Sequence, residues 1–319
     1  MERKRRLPNF KISFFAIVMG LSGFTVAWQK AEGLLEWENF LSQGLLALTA
    51  SLFLLIGITY VIKALNYPDI VRQEFNHPVS LSFFPTITIS LLLLSTAFFA
   101  SNEGISSVLW FVGAPLHLIF SLLILSIWMR QSKFEIQHFS PAWMIPVVGN
   151  LLVPVVGLHF VSVEILWFYF SFAIVFWVIF FTIFIYRIFF HSPLPDKLLP
   201  TLFILIAPPA VGFIAYVKLT GEVDGFARIL YYLAVFLVLF LLAQAPMFAR
   251  LKFFLSWWAY SFPLAAMTIA TALMLDETGI NFFRGFFFGL LVVLTALIAL
   301  LSVLTVRHAL RQEICVEEG

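Results

Sequence analysis

The residues able to carry chemistry are few, and they lie in the wrong places for catalysis. The 319-residue chain holds 17 acidic side chains, 6 histidines and 1 cysteine. Set against the long apolar runs, every Asp, Glu, Lys and Arg falls in a loop, a tail or the border of a run. An ionisable group inside a membrane span marks an ion path or a proton relay by default, and none is expected here. His117, in the middle of one run, is the best candidate relay; an uncharged, helix-packing histidine is the preferred reading, and His159 sits near a border. HExxH, GxxxxGK[ST], CxxC and GxGxxG are all missing. No nucleophile pairs with a base, and Ser82, Ser90, Ser171 and Ser261 are of the kind that bond their own helix or a neighbouring one. Cys315 has no partner for an intramolecular disulfide. No enzymatic activity, cofactor or metal site is expected. The net charge of +2, with its basic residues at run borders, points to no nucleic-acid partner.

What remains is backbone, small residues and aromatics. In the stretch from Leu255 to Ala266, Phe262 stands directly before Pro263 inside an apolar run. Proline removes a backbone donor and clashes with the preceding turn. In lipid the freed carbonyl needs another partner, so such a break survives only against protein or a water-filled cavity. Phe84 stands before Pro85 in the same way. A hydrophobic constriction closes a pore by dewetting, and Phe262 is the candidate gate. A path without fixed ligands binds ions weakly, and helix ends freed at breaks favour anions.

Long apolar elements must position these residues. The chain is 62% hydrophobic and 11% charged, well above the ~45–50% apolar share of soluble domains. A span needs ~20 apolar residues. Ten spans are expected, about 12–30, 39–64, 83–101, 105–129, 143–161, 165–189, 198–218, 226–248, 253–275 and 281–306, forming one all-α transmembrane domain over residues 1–319. The fifth is the weakest, because Pro146, Gly149, Asn150, Pro154 and Gly157 all fall in it. Lys and Arg stay on the cytoplasmic side. With the N-terminus inside, only Lys30, Lys218, Arg228 and Arg284 of the 19 basic residues lie outside, so both termini are cytoplasmic. The basic start, Met1 to Arg6, precedes a long span with no small-residue cleavage site and reads as uncleaved.

The breakers recur. Gly23, Pro85, Pro146, Pro208 and Pro263 follow one another at intervals of 62, 61, 62 and 55 residues, mainly in odd spans. Such a period suggests an internal repeat, one helical hairpin per unit. Five parallel hairpins would form a ring, with broken odd helices around a central pore and even helices facing lipid. Gly20, Gly23, Phe84, Pro85, Pro146, Gly149, Pro208, Gly212 and Pro263 are the pore-lining candidates beside Phe262.

The ten-span pattern, Asn76-His77-Pro78-Val79, Leu205-Ile206-Ala207-Pro208-Pro209 and Trp258-Ala259-Tyr260-Ser261-Phe262 together resemble the tellurite-resistance/dicarboxylate transporter family. That family includes bacterial TehA and the slow anion channel of plant guard cells. The resemblance covers nearly the whole chain. It implies five hairpins around a pore, a homotrimer with one pore per subunit, and a phenylalanine occluding each pore, which by motif match is Phe262. Pro263 stands where relatives have glycine, and the long regulatory tails of the plant member are absent, so kinase control of that kind is not expected. The expected function is a gated channel of a bacterial inner membrane passing small monovalent anions such as chloride or nitrate. The alternatives are a secondary transporter exporting a C4-dicarboxylate, sulfite or a tellurite-related oxyanion, and a structural membrane protein without transport.

Overall fold

The structure is a computed structural model describing residues 6–315. The described residues contain no strand. Among the described residues, nine helical segments are long and apolar enough to cross a membrane: α1 Ile12–Leu35, α2 Phe40–Asn66, α3 Ser80–Phe98, α4 Glu103–Arg130, α6 Val163–Phe190, α7 Leu199–Thr220, α8 Gly225–Ala243, α9 Leu255–Thr278 and α10 Asn281–Leu310. Between α4 and α6 lies α5, Pro141–Gly157, which falls short of that length. The expected ten full spans are therefore nine plus one short apolar segment. Pro146 and Pro154 are the physical reason: α5 alternates between 3₁₀ and α turns and never runs as one regular helix. A helix, Pro68–Asn76, also replaces the expected loop after α2.

Burial divides the segments. α1, α3, α7 and α9 are 67–78% buried over their apolar windows, while α2, α4, α6, α8 and α10 are 22–39% buried. All of α5 except Val155 is buried. The inner segments touch in sequence: α1 meets α3, α3 meets α5, α5 meets α7, α7 meets α9, and α9 returns to α1. Each also packs on the even segment that follows it.

The inner segments start irregularly. α1, α3, α5, α7 and α9 each begin with a 3₁₀ lead-in, namely Ile12–Phe14, Ser80–Phe83, Pro141–Met144, Leu199–Ile206 and Leu255–Tyr260, before turning α-helical. The prolines mark that change and do not sit mid-helix. Pro85 is the N-cap of its α-helix, and Pro146, Pro208 and Pro263 lie within the first turn. There the missing N–H costs no hydrogen bond. Carbonyls left open at the junctions are taken by side chains, as lipid-shielded backbone requires. Ser261 Oγ donates to Trp258 O at 2.6 Å, Thr86 to Phe83 O, Thr201 to Leu198 O, Ser121 to Pro146 O, and Asn150 Nδ2 to Val147 O at 2.8 Å.

Three charged residues expected at span borders are in fact buried: Glu32, Lys63 and Arg187 are at most 2% exposed. Each lies in the last turns of its helix, where the neighbouring chain folds over it. Lys63 donates to Glu74 Oε2 at 2.6 Å and to Phe10 O at 2.7 Å, while Glu74 also accepts from Ile12 N and Tyr60 OH. This ion pair pins the lead-in of α1 to α2. Glu32 Oε1 accepts from the N–H groups of Leu41 and Ser42 at the start of α2.

Candidate functional site

A narrow cavity of about 70 Å³ lies where the inner segments meet. Its wall is drawn from α1, α3, α5, α7 and α9 only, with no residue from an even segment. The lining residues recur at intervals of three or four: Ala16 and Met19; Phe83, Thr86 and Ile89; Ile145, Val148 and Leu152; Ile204, Ala207 and Val211; Ala259 and Phe262. Spacings of three and four keep side chains on one face of a 3₁₀ or α turn, and all these stripes but that of α1 cross from one kind of turn to the other. Thr86 carries the only hydroxyl on the wall, and that hydroxyl is turned to Phe83 O. Trp258 sends its indole N–H outward to Thr305 Oγ1 at 2.9 Å. Such a chamber offers water nothing to bond and resists wetting.

Of the residues singled out in the sequence, Phe262, Pro263, Gly149 and Pro208 line this cavity. Gly20 and Gly23 lie beside it on the seam between α1 and α9. A Cβ on Gly20 would stand 2.0 Å from Ser261 Oγ; one on Gly23 would stand 2.8 Å from Ala265 Cβ and 3.4 Å from Phe262 Cδ2. The glycines thus let α1 approach α9 closely. Pro146 offers its carbonyl to Ser121 of α4, and Gly212 looks toward Ile174 and Leu230 on the even segments. Phe84 faces away from the cavity, edge-on to Phe75 at 4.8 Å and Tyr60 at 6.3 Å, and Pro85 caps the helix beside it. The residue of α3 that reaches the wall is Phe83, which the sequence reading missed.

A second, wider cavity of about 620 Å³ adjoins the first, sharing Ala16, Phe83 and Ala259 with it. Its wall is mostly apolar but carries Lys11, Lys197, His77 and His308. Glu74 also lines it but is neutralised by Lys63. Glu313 lies 3.5 Å from His308. Among the described residues no group of His, Cys, Asp and Glu could hold a metal ion.

A wide chamber with charged residues on its wall adjoins a small apolar cavity inside a multi-pass, all-helical membrane protein. The family follows from comparison. The profile of the SLAC1 family, described as voltage-dependent anion channels, matches residues 9–306, and the chain belongs to that family. The S-type anion channel SLAH2 of Arabidopsis thaliana is 29% identical over 283 residues, covering 86% of this chain and 54% of the plant protein. The guard cell S-type anion channel SLAC1 of the same plant is 27% identical over 314 residues, 95% of this chain and 56% of its own. The tellurite resistance protein TehA homolog of Haemophilus influenzae is 28% identical over 291 residues, 88% of each. The chain spans about half the length of the plant channels it matches.

Proposed function

We propose that this protein is a gated anion channel that passes small monovalent anions such as chloride or nitrate through the central cavity, with Phe262 as the gate. The carrying observation is the composition of the wall: an apolar constriction drawn from all five inner segments, with a bulky ring at the head of α9. In this reading the ten segments form five parallel hairpins, α5 being the reduced first half of the third. The wide chamber faces the cytoplasm, because the basic residues gather there. The barrier beyond is dehydration past Phe262. The pore-lining set becomes Phe262, Pro263, Phe83, Gly149 and Pro208, with Phe83 in place of Phe84. A homotrimer in a bacterial inner membrane, each subunit with its own pore, completes the proposal.

The name of the tellurite resistance protein TehA homolog favours a second reading, a carrier for a tellurite-related oxyanion through the same cavity. Flux measurements in proteoliposomes separate the two. Anion current that grows with voltage without saturating, and needs no proton gradient for its driving force, supports the channel. Saturable flux driven by a proton gradient supports the carrier.

A further inference from the structure

One buried polar atom next to the central cavity has no partner. His117 of α4 is wholly buried against α3 and α5. Thr88 gives its single hydroxyl proton to Pro85 O at 2.8 Å, and the same oxygen lies 2.7 Å from His117 Nδ1. A hydroxyl has one proton to donate; with that proton on Pro85 O, we assign the imidazole hydrogen to Nδ1, which donates to Thr88. Nε2 is then a bare lone pair, buried and without a hydrogen-bond partner. It faces Gly149: a Cβ there would stand 2.5 Å from Nε2 and 2.7 Å from Ile89 Cδ1. Gly149 and Ile89 both line the cavity. The imidazole therefore sits directly behind the wall, at the one place where the wall has no side chain.

Its surroundings hold no charge. α3 and α5 contain no Asp, Glu, Lys or Arg, and the charged residues of α4 are its terminal Glu103 and Arg130. The groups that face the ring are Thr88 and Ile89 of α3 and Gly149 of α5. On α4 itself, Ser121 Oγ lies 2.8 Å from His117 O, its proton being given to Pro146 O. A proton arriving alone on Nε2 would create a buried cation without a counter-charge, which is costly. The nearest place a counter-charge could stand is the cavity, beside Gly149.

We propose that His117 is a proton-binding site coupled to the anion path: Nε2 takes one proton from bulk water when an anion occupies the cavity beside Gly149. This rests on the channel reading. An N–H bond forms as an O–H bond of hydronium breaks and water leaves, and the proton and the anion neutralise each other. Linkage makes the effect reciprocal, so a proton favours the anion by the factor by which the anion favours the proton.

Two measurements test it. Purified protein in nanodiscs, in weakly buffered solution between about pH 5 and 7, is given nitrate or gluconate at equal ionic strength while an indicator dye follows free protons. Wild type should take up protons with nitrate but not with gluconate, and His117→Gln should take up none. Equal uptake in wild type and His117→Gln overturns the proposal. In the second measurement, anion current through Phe262→Ala should rise about tenfold between pH 7.5 and 5.5, and the added His117→Gln change should flatten that profile. A pH-independent current in Phe262→Ala overturns the proposal and leaves the channel intact. No current at any pH, with nitrate-linked proton uptake preserved, strikes the channel and leaves the proton site. Should His117→Gln fail to fold, Thr88→Val serves: it removes the acceptor that fixes Nδ1–H and should move the midpoint of proton uptake. An unmoved midpoint counts against the site.

Discussion

Phe84-Pro85 and Phe262-Pro263 are the same dipeptide at the head of two inner segments, yet their rings end on different sides of the wall. Phe262 lines the cavity, whereas Phe84 is edge-on to Phe75 and Tyr60 behind it. The difference lies in where the α-helix begins. In α9 it begins at Ser261, before the dipeptide; in α3 it begins at Thr86, after it. The stripe that faces the cavity falls on Ala259 and Phe262 in one segment and on Phe83, Thr86 and Ile89 in the other. Phe84 is one residue off that stripe, a rotation of about 120° in a 3₁₀ turn. A local motif therefore says that a break is present; its register against the lead-in says which side chain reaches the path.

The most forceful way to break this comparison is to truncate both rings. Phe262→Ala should raise anion current at matched surface expression by on the order of tenfold or more, since an apolar plug is removed. Phe84→Ala should leave current per folded channel unchanged and cost ~3–5 kcal/mol of stability, as the loss of a well-packed aromatic does. The opposite pattern would assign the gate to α3. Phe83→Ala is the next test. Because Phe83 is shared by the wide and the narrow cavity, it should give a smaller rise than Phe262→Ala, read in the same recordings.

Accessibility sharpens the register itself. With Cys315, which lines the wide cavity, first replaced by serine, Phe83→Cys in a Phe262→Ala background should react with a small charged thiol reagent. Phe84→Cys should not, and equal modification of the two would refute the stripe of three. The smallest effect concerns the glycines. Gly20→Ala places a methyl 2.0 Å from Ser261 Oγ and should cost ~1–3 kcal/mol by overpacking. Gly212→Ala meets nothing closer than 3.4 Å and should be neutral or stabilising by up to ~1 kcal/mol, as for a helical glycine. Thermal unfolding in detergent by a tryptophan signal checks both, and equal melting temperatures would mean the α1–α9 seam is loose.

Much of the fold was legible because burial follows the repeat of breakers: the odd segments are inside and the even ones outside. The junction prolines were found, but their role was misread. Spacing alone does not distinguish a proline that breaks a helix from one that starts it, and the 3₁₀ lead-ins before Pro85, Pro208 and Pro263 leave no composition signal. Lys63 and Arg187 were placed at borders correctly by sequence position but are covered by residues distant in the chain, such as Phe10 and Gln137. The wall residues Phe262, Pro263, Gly149 and Pro208 could be named because each stands at a break. Phe83 and Thr86 could not, because nothing local separates them from Phe84. His117 was noted as a lone polar residue in an apolar run; its alignment behind Gly149 depends on α4 crossing α5, which sequence order does not set.

The unequal apolar character of the segments has a consequence for biogenesis. The outer helices have mean hydropathies of 2.3–2.8, the inner ones 1.4–2.0. α2, α4, α6, α8 and α10 can partition from the translocon into lipid by themselves. α5 is too short to do so, and α9 combines the lowest hydropathy with an irregular, incompletely bonded start. Such backbone tolerates the bilayer only when protein shields it. Each weakly inserting segment is therefore retained by the strongly inserting one that follows it. α1 waits for its second neighbour until α9 has been synthesised, more than two hundred residues later. Until then the unfinished assembly has an open seam facing lipid, and the segment that carries Phe262 is the one that closes it.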